Sequence, residues 1–352
     1  MGEITIREVT TRKELRDFIY LPEQVHRNEP DWLPPIYMDE WELYDKKKNK
    51  SFGYADGLLL VAYRDNKPVG RIMGIINRRY NEINNENHGR FCFMECYNDQ
   101  EVFHALICRI EDWARENGMN RLVGPLGFSD KDPQGFQIEG FNYPQFITSA
   151  NNSPYMVTLI ENEGYGKKVD LVNYLGDIPK EFPVVYQRVL ERITSNREFD
   201  IIEFGSKKEL KPYIIPILEL MNDTFAEIYG FVPLNDKEKS DFAARYMPIL
   251  DPKFIKAVAK NGNVIGFAIG MPDLSKGIRE ATCAGAAAAF RVIETSESKR
   301  SLQTADDAGG VKKDFRERGL MSLWASRYPV DAINSRMESI DSHLSSLRTI
   351  SG

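Results

Sequence analysis

The sequence predicts an α/β protein of the α+β kind, built as two halves that each carry a mixed, mostly antiparallel sheet flanked by helices. Three observations carry this. The 352 residues amount to about two ordinary domains of roughly 150 residues. An order of strand, helix, hairpin, strand, helix and strand fills the first half and recurs in part in the second. Each hairpin turns on a polar, Asn-containing link between apolar runs, N-K-P at 66–68 and K-N-G-N at 260–263.

I-T-I-R-E-V (4–9) reads as a short strand, and Leu15, Phe18 and Ile19 follow at helical spacing. Residues 22–57, rich in Pro, Asp, Lys and Trp, read as a long ordered insertion whose K-K-K-N-K run (46–50) is a solvated loop. The apolar runs 57–65 and 69–77 form the first hairpin, and R-F-C-F-M-E-C-Y (90–97) adds a third strand. Strict alternation puts Cys92, Met94 and Cys96 on one face of it, as packing residues. An amphipathic helix follows, with Asn98 and Glu101 at capping-box spacing and Gly118 closing it. Val102, Leu106, Ile110 and Trp113 form its inner stripe, and His104 is a surface or packed histidine. R-L-V-G-P-L-G (121–127) gives a strand, 154–165 a short helix, and 167–174 a closing strand.

The Pro-containing link G-D-I-P-K-E-F-P (176–183) leads into an apolar-striped helix at 184–193. The pattern then restarts: a strand at 199–204, a long helix over 206–230 interrupted near Pro212 and Pro216, and a helix at 236–247. The second hairpin joins 253–259 to 264–272. Domain limits follow at 1–178 and 199–352, with 179–198 as linker and helix. Residues 279–310 are Ala-rich without strand alternation, and Pro329 would kink the helix after Gly319. Either an altered reading frame over 279–310 and again near the end, or a divergent second half, accounts for this incomplete pattern.

Apolar residues make up 42% of the chain and charged residues 28%, enough apolar material for two cores. The 46 basic residues are outnumbered by 52 acidic ones, and the net charge of −6 argues against binding nucleic acid through a broad basic field. A local basic pocket for a small anion stays open. No apolar run approaches the roughly 18 to 20 residues that span a bilayer, and the start M-G-E-I-T-I-R-E-V lacks the features of a secretory leader. The four cysteines show no CxxC spacing and the four histidines are scattered, so no metal site is assigned and a reducing cytoplasm fits.

Several stretches carry a family likeness: D-W-L-P-P (31–35), A-Y-R-D-N-K-P-V-G-R-I (62–72), E-C-Y-N-D-Q-E-V (95–102), G-P-L-G-F (124–128), E-N-E-G-Y (161–165) and V-K-K-D-F-R-E-R-G-L (311–320). With the element order, they make the chain resemble the GNAT superfamily of acyl-coenzyme A-dependent N-acyltransferases over 1–278 and 309–344. The resemblance extends to a bacterial family with two GNAT-like halves and an undefined substrate. It implies a pyrophosphate seat formed by Val311, Phe315, Arg316, Glu317, Arg318, Gly319, Leu320 and Met321. Physically, a strand ending at Val311 and a helix beginning near Gly319 would present backbone amides and a positive helix end to an anion. Gly319 allows close approach, and Arg316 and Arg318 offer forked, charge-assisted hydrogen bonds. Met321 stands where the family usually has Gly or Ala. The first half lacks this motif, and Asp99 and Glu101 would repel a pyrophosphate, so it reads as a scaffold completing the substrate cleft.

The resemblance implies an acyl-CoA-dependent N-acyltransferase that takes acetyl-CoA or another acyl-CoA and a small-molecule or peptide amine. The alternative is a non-catalytic tandem module that binds a metabolite or a protein partner. Acyl transfer to an amine needs a group that takes a proton and donors for the developing oxyanion. The family commonly supplies a helping tyrosine on a C-terminal helix that this chain does not show. Among the residues present, His343 is the candidate base, with Asp341 on the same face of the strand at 338–344. Glu95, on the third strand of the first half, is a further candidate.

Overall fold

A computed structural model describes residues 2–29, 32–143, 145, 150–177, 184, 187, 188, 191, 198–247, 250–272, 275, 278, 301–304, 309–318 and 339–344. The chain divides into two compact units. One comprises Met1–Lys168, Tyr229–Val232 and Ile278–Ala289; the other comprises Val169–Ile228, Pro233–Gly277 and Phe290–Gly352.

The first unit opens with β1 (Ile4–Glu8), α1 (Arg12–Val25) and α2 (Tyr37–Leu43), followed by the hairpin β2 (Ala55–Arg64) and β3 (Lys67–Asn77). Then come α3 (Arg78–Asn84), β4 (His88–Cys96), α4 (Gln100–Glu116), β5 (Arg121–Val123) and α5 (Tyr155–Asn162). The five strands lie in sequence order, antiparallel except for the parallel β4–β5 pair. β2 is a nearly continuous apolar run because both its faces are covered. Leu58, Leu60 and Ala62 pack with Val102, Phe103, Leu106 and Ile110 of α4 and Met156 and Leu159 of α5. Leu59, Val61 and Tyr63 pack with Phe18 and Ile19 of α1 and with Tyr44.

Local chemistry sets the boundaries. Thr11 and Glu14 form a complete capping box at α1, which runs through Pro22 to Val25, so the expected insertion begins later and itself contains α2. The hairpin turns at Asp65–Asn66, φ +50° and +61°, one residue earlier than the expected N-K-P turn. Two consecutive positive φ values match the twist of the flanking strands, and Asp and Asn tolerate them. Asp99, not Asn98, caps α4: its Oδ1 accepts the N–H groups of Glu101 and Val102, and its Oδ2 meets Arg64.

β4 also corrects the alternation. Phe93 has φ +50° and the ladder to β3 slips there, so two residues oppose fewer partners and the facing pattern inverts. Cys92 therefore packs on the α1 side, while Met94 and Cys96 pack on the α4 side.

The second unit carries two four-stranded sheets rather than the single expected one. Its elements are β6 (Val172–Asp177), β7 (Asp200–Glu203), α6 (Lys207–Leu210), α7 (Ile214–Thr224), α8 (Asp236–Tyr246), β8 (Ile255–Lys260), β9 (Asn263–Ile269), β10 (Met271–Pro272), β11 (Ser301–Thr304), β12 (Gly309–Val311) and β13 (Ser339–Leu344). One sheet runs β12-β9-β8-β7, wholly antiparallel. The other runs β10-β11-β13-β6, with β11 and β13 parallel. β6, expected to close the first sheet, pairs instead with all of β13. The long helix expected at 206–230 is α6, a 3-10 turn at Lys211–Tyr213 and α7; Pro216 sits in the first turn of α7, where no helical hydrogen bond is lost. Gly310 packs against Thr224, leaving no room for a Cβ. β11 is a strand that the Ala-rich composition of 279–310 did not announce. Residues 279–300, most of 179–198, and the expected helix after Gly319 with Pro329 lie outside the described residues. Among the described residues no helix is long and apolar enough to cross a membrane.

Candidate active site

The parallel β4–β5 pairing ends at Arg90 and Val123, while β4 continues to Cys96. Glu95 lies on this continuation, opposite Arg71 of β3. Because the Phe93 bulge sends Met94 and Cys96 toward α4, Glu95 is turned to the α1 side.

α1 ends beside it. His26 is the C-cap, and the chain folds back through two turns, Glu29 N–H to His26 O at 2.9 Å and Trp32 N–H to Glu29 O at 3.2 Å. Both ring nitrogens of His26 meet carboxylates: Nε2 is 3.0 Å from Glu95 Oε2 and Nδ1 is 2.8 Å from Glu29 Oε2. The Trp32 ring stacks on the imidazole at 5.2 Å and 10°. Ser153, two residues before α5, donates its hydroxyl to Glu29 Oε1 at 2.6 Å. Tyr155 donates to the Cys96 carbonyl at 2.8 Å.

The imidazole is fully buried, whereas the side chain of Glu95 is 11% exposed and that of Glu29 is 40% exposed. A ring held between two carboxylates donates from both nitrogens, which is the imidazolium form. Burial works against that charge, but the hydrogen bond and charge of Glu95, followed by those of Glu29, outweigh it and raise the His26 pKa. Formally, one cation between two anions leaves a single negative charge, and His26 and Glu29 line a cavity of about 450 Å³ together with Glu23, Gln24, Arg27 and Trp32. Such a site suits an ammonium or amine, and the exposed Glu29 carboxylate can accept a proton from it. Behind it, buried Arg71 donates to the Phe18 carbonyl at 2.9 Å and lies 3.8 Å from Glu40.

Two structural relatives share this build. A tandem GNAT protein from the clavulanic acid biosynthesis pathway superposes with a TM-score of 0.52 at 10% identity, covering 99% of this chain and 91% of that one. A GCN5-related N-acetyltransferase from Sphaerobacter thermophilus gives 0.52 at 11% identity, covering 99% and 89%. The chain has a tandem GNAT fold. In sequence, it is 25% identical over 284 residues to a bacterial ceramide synthase of Caulobacter vibrioides, spanning 79% of this chain and 72% of that protein. It is 22% identical over 276 residues to the protein YghO of Escherichia coli, spanning 78% and 70%. No protein-family model matches the chain.

In the second GNAT unit, β12 is present and Val311 is buried, paired with Gly266. Lys313–Arg318 form a 3-10 turn, which places the backbone of Glu317 and Arg318. Phe315, half-buried, packs edge-on against Phe199 at 6.1 Å, with Lys260 over its ring. Two amides of the turn are already spent, Lys312 N–H on the Ile265 carbonyl and Phe315 N–H on the Lys312 carbonyl, both at 2.9 Å. Arg316 donates its Nε to the Val311 carbonyl at 3.1 Å. Among the described side chains of this turn, Lys312, Lys313 and Arg316 are exposed and could meet an anion. Gly319, Leu320 and Met321 lie outside the described residues.

Asp341 and His343 share a face of β13, opposite Leu175 and Asn173 of β6, in a different sheet from β12. Of the acid–base candidates, Glu95 has its side chain among the described ones, and it meets a histidine. Sequence reasoning missed His26, Glu29 and Ser153. The available signal was H-R-N-E at the end of an amphipathic helix, which puts two polar groups one turn apart.

Proposed function

We propose that the protein is an acyl-CoA-dependent N-acyltransferase whose amine acceptor binds at the His26 cluster. One observation carries the reading: a buried imidazole that lines a cavity bridges Glu29 to Glu95, on the part of β4 that extends past β5. An acyl-CoA supplies the activated acyl group. The ammonium gives one proton to the exposed Glu29 carboxylate, the neutral nitrogen forms the C–N bond as the C–S bond breaks, and its second proton ends on the departing thiolate to give the free thiol. The glutamates hold the ammonium before it is deprotonated, and Ser153 fixes the Glu29 carboxylate. The relative named a bacterial ceramide synthase suggests the acceptor class, a long-chain amino alcohol.

The test incubates the full chain with acyl-CoA species of graded length and a panel of long-chain amino alcohols and short amines, following thiol release and amide formation by mass spectrometry. Amide formation that falls about a hundredfold or more in His26→Gln, with the fold intact by circular dichroism, is the expected result. Absence of any amide across the panel, or full turnover by His26→Gln, overturns it. A second reading, a non-catalytic tandem module, draws on the two amides of the β12 turn already spent internally. Tight binding of amine or metabolite without acyl transfer would favour it.

A further inference from the structure

On the first unit, away from the His26 cluster, α4 and α5 bring three different metal-binding side chains together. His104 and Cys108 are four residues apart on α4 and therefore share a face, one turn from each other. Glu163, the C-cap of α5, reaches the same spot. His104 Nδ1 lies 2.7 Å from Glu163 Oε2, and both ring nitrogens of His104 lie 3.6 Å from Cys108 Sγ. The three donor atoms all fall within 4.8 Å of one another.

We propose that His104, Cys108 and Glu163 form a binding site for zinc or a similar divalent transition metal, with an open fourth position filled by water. An imidazole, a thiolate and a carboxylate are a borderline-soft donor set, which suits zinc and not calcium or magnesium. Zinc bonds of about 2.0 to 2.3 Å in tetrahedral geometry separate ligand atoms by about 3.3 to 3.8 Å. The thiol and imidazole already stand at such a separation. The imidazole and carboxylate need only open from their direct hydrogen bond, which metal binding abolishes by taking its place.

Neighbouring groups prepare the carboxylate. Gln100, one turn before His104, donates to Glu163 Oε1 and to the Leu159 carbonyl at 3.1 Å, and accepts from Asn162 Nδ2 at 3.0 Å. This leaves Glu163 Oε2 directed at His104. Such outer hydrogen bonds fix the orientation of ligands at built metal sites. His104 is mostly exposed, so the position opposite the protein is open to water and to metal entry. In the metal-free chain burial, followed by the charges of Glu111, Glu163 and Asp112, raises the Cys108 pKa. The same negative charges attract a dication, whose binding releases the thiol proton. The site would clamp the C-terminal end of α5 to α4, while the residues before α5 supply Ser153 to Glu29.

Cobalt(II) titrated into the tag-free full-length chain is the probe. One equivalent should bind with a thiolate-to-cobalt charge-transfer band in the near ultraviolet, and zinc should displace it. Cys108→Ser should abolish the band, His104→Ala and Glu163→Gln should each weaken binding about tenfold or more, and Cys283→Ser should keep the band. Stoichiometric zinc should also slow alkylation of Cys108 by iodoacetamide in the unmutated chain, read by peptide mass spectrometry. No cobalt band, a band that survives Cys108→Ser, or an unchanged alkylation rate each overturns the proposal.

Discussion

His26 Nε2 and Glu95 Oε2 stand 3.0 Å apart although 69 residues separate them in sequence, and the imidazole is wholly buried. A buried ring of this kind is stable as a cation only while both its neighbours keep their charge. Activity and stability should therefore respond together when either partner is altered.

Glu95→Gln removes the charge and keeps the shape. Urea unfolding should show a loss of about 2 kcal/mol with an unchanged slope, because a charge-assisted hydrogen bond to a buried group is lost. Acyl transfer should fall about a hundredfold in the same variant.

The raised His26 pKa has a defined sign in stability. A group that binds its proton more tightly folded than unfolded contributes fully below the unfolded pKa, near 6.5, and that contribution disappears as pH rises through the folded value. Thermal melts of the unmutated chain should lose stability on going above that range, and His26→Gln should flatten the dependence. The same profile in both proteins would remove His26 as its source.

At the start of α1, Glu14 accepts hydrogen bonds from the amides of Thr10 and Thr11, and its pKa falls to about 2. A depressed carboxylate stabilises above its unfolded pKa, so this contribution should vanish as pH falls from about 4.5 toward 2. Thr11→Ala, which breaks the capping box, should cost about 1 kcal/mol near neutrality. Denaturant titration at pH 7 measures it.

A Cβ on Gly70 would stand 2.7 Å from Val102 Cγ1 and 2.8 Å from Leu106 Cδ1. β3 and α4 approach closely there, so Gly70→Ala should force α4 outward at a cost of about 1 to 3 kcal/mol. A melting temperature equal to that of the unmutated chain would contradict this packing.

Arg316→Ala should weaken acyl-CoA binding about tenfold in isothermal titration and reduce its salt dependence, since a solvent-exposed guanidinium is removed. Its effect on stability should be small, as the side chain makes a single hydrogen bond to Val311 among the described residues. Unaltered binding would move the phosphate site elsewhere.

Much of the fold was legible because its signals are local. The first hairpin turn to within one residue, the Asn261–Gly262 turn and the stripe Val102, Leu106 and Ile110 all follow from residues within a few positions of one another. On β4 the reading slipped because of one residue with unusual backbone: Phe93 at φ +50° inverts the facing of everything after it on the strand. Glu95 was legible as a strand carboxylate, but not its partner.

Sequence alone settled the tandem α+β plan, since periodicity, caps and turns act over a few residues. Tertiary structure decided which strands share a sheet, as with β6 on β13, and which side chains meet, as with His26, Glu29, Glu95 and Ser153. Those meetings depend on ladder register and on where a helix stops, which are set by packing between distant segments and leave no mark in the local pattern.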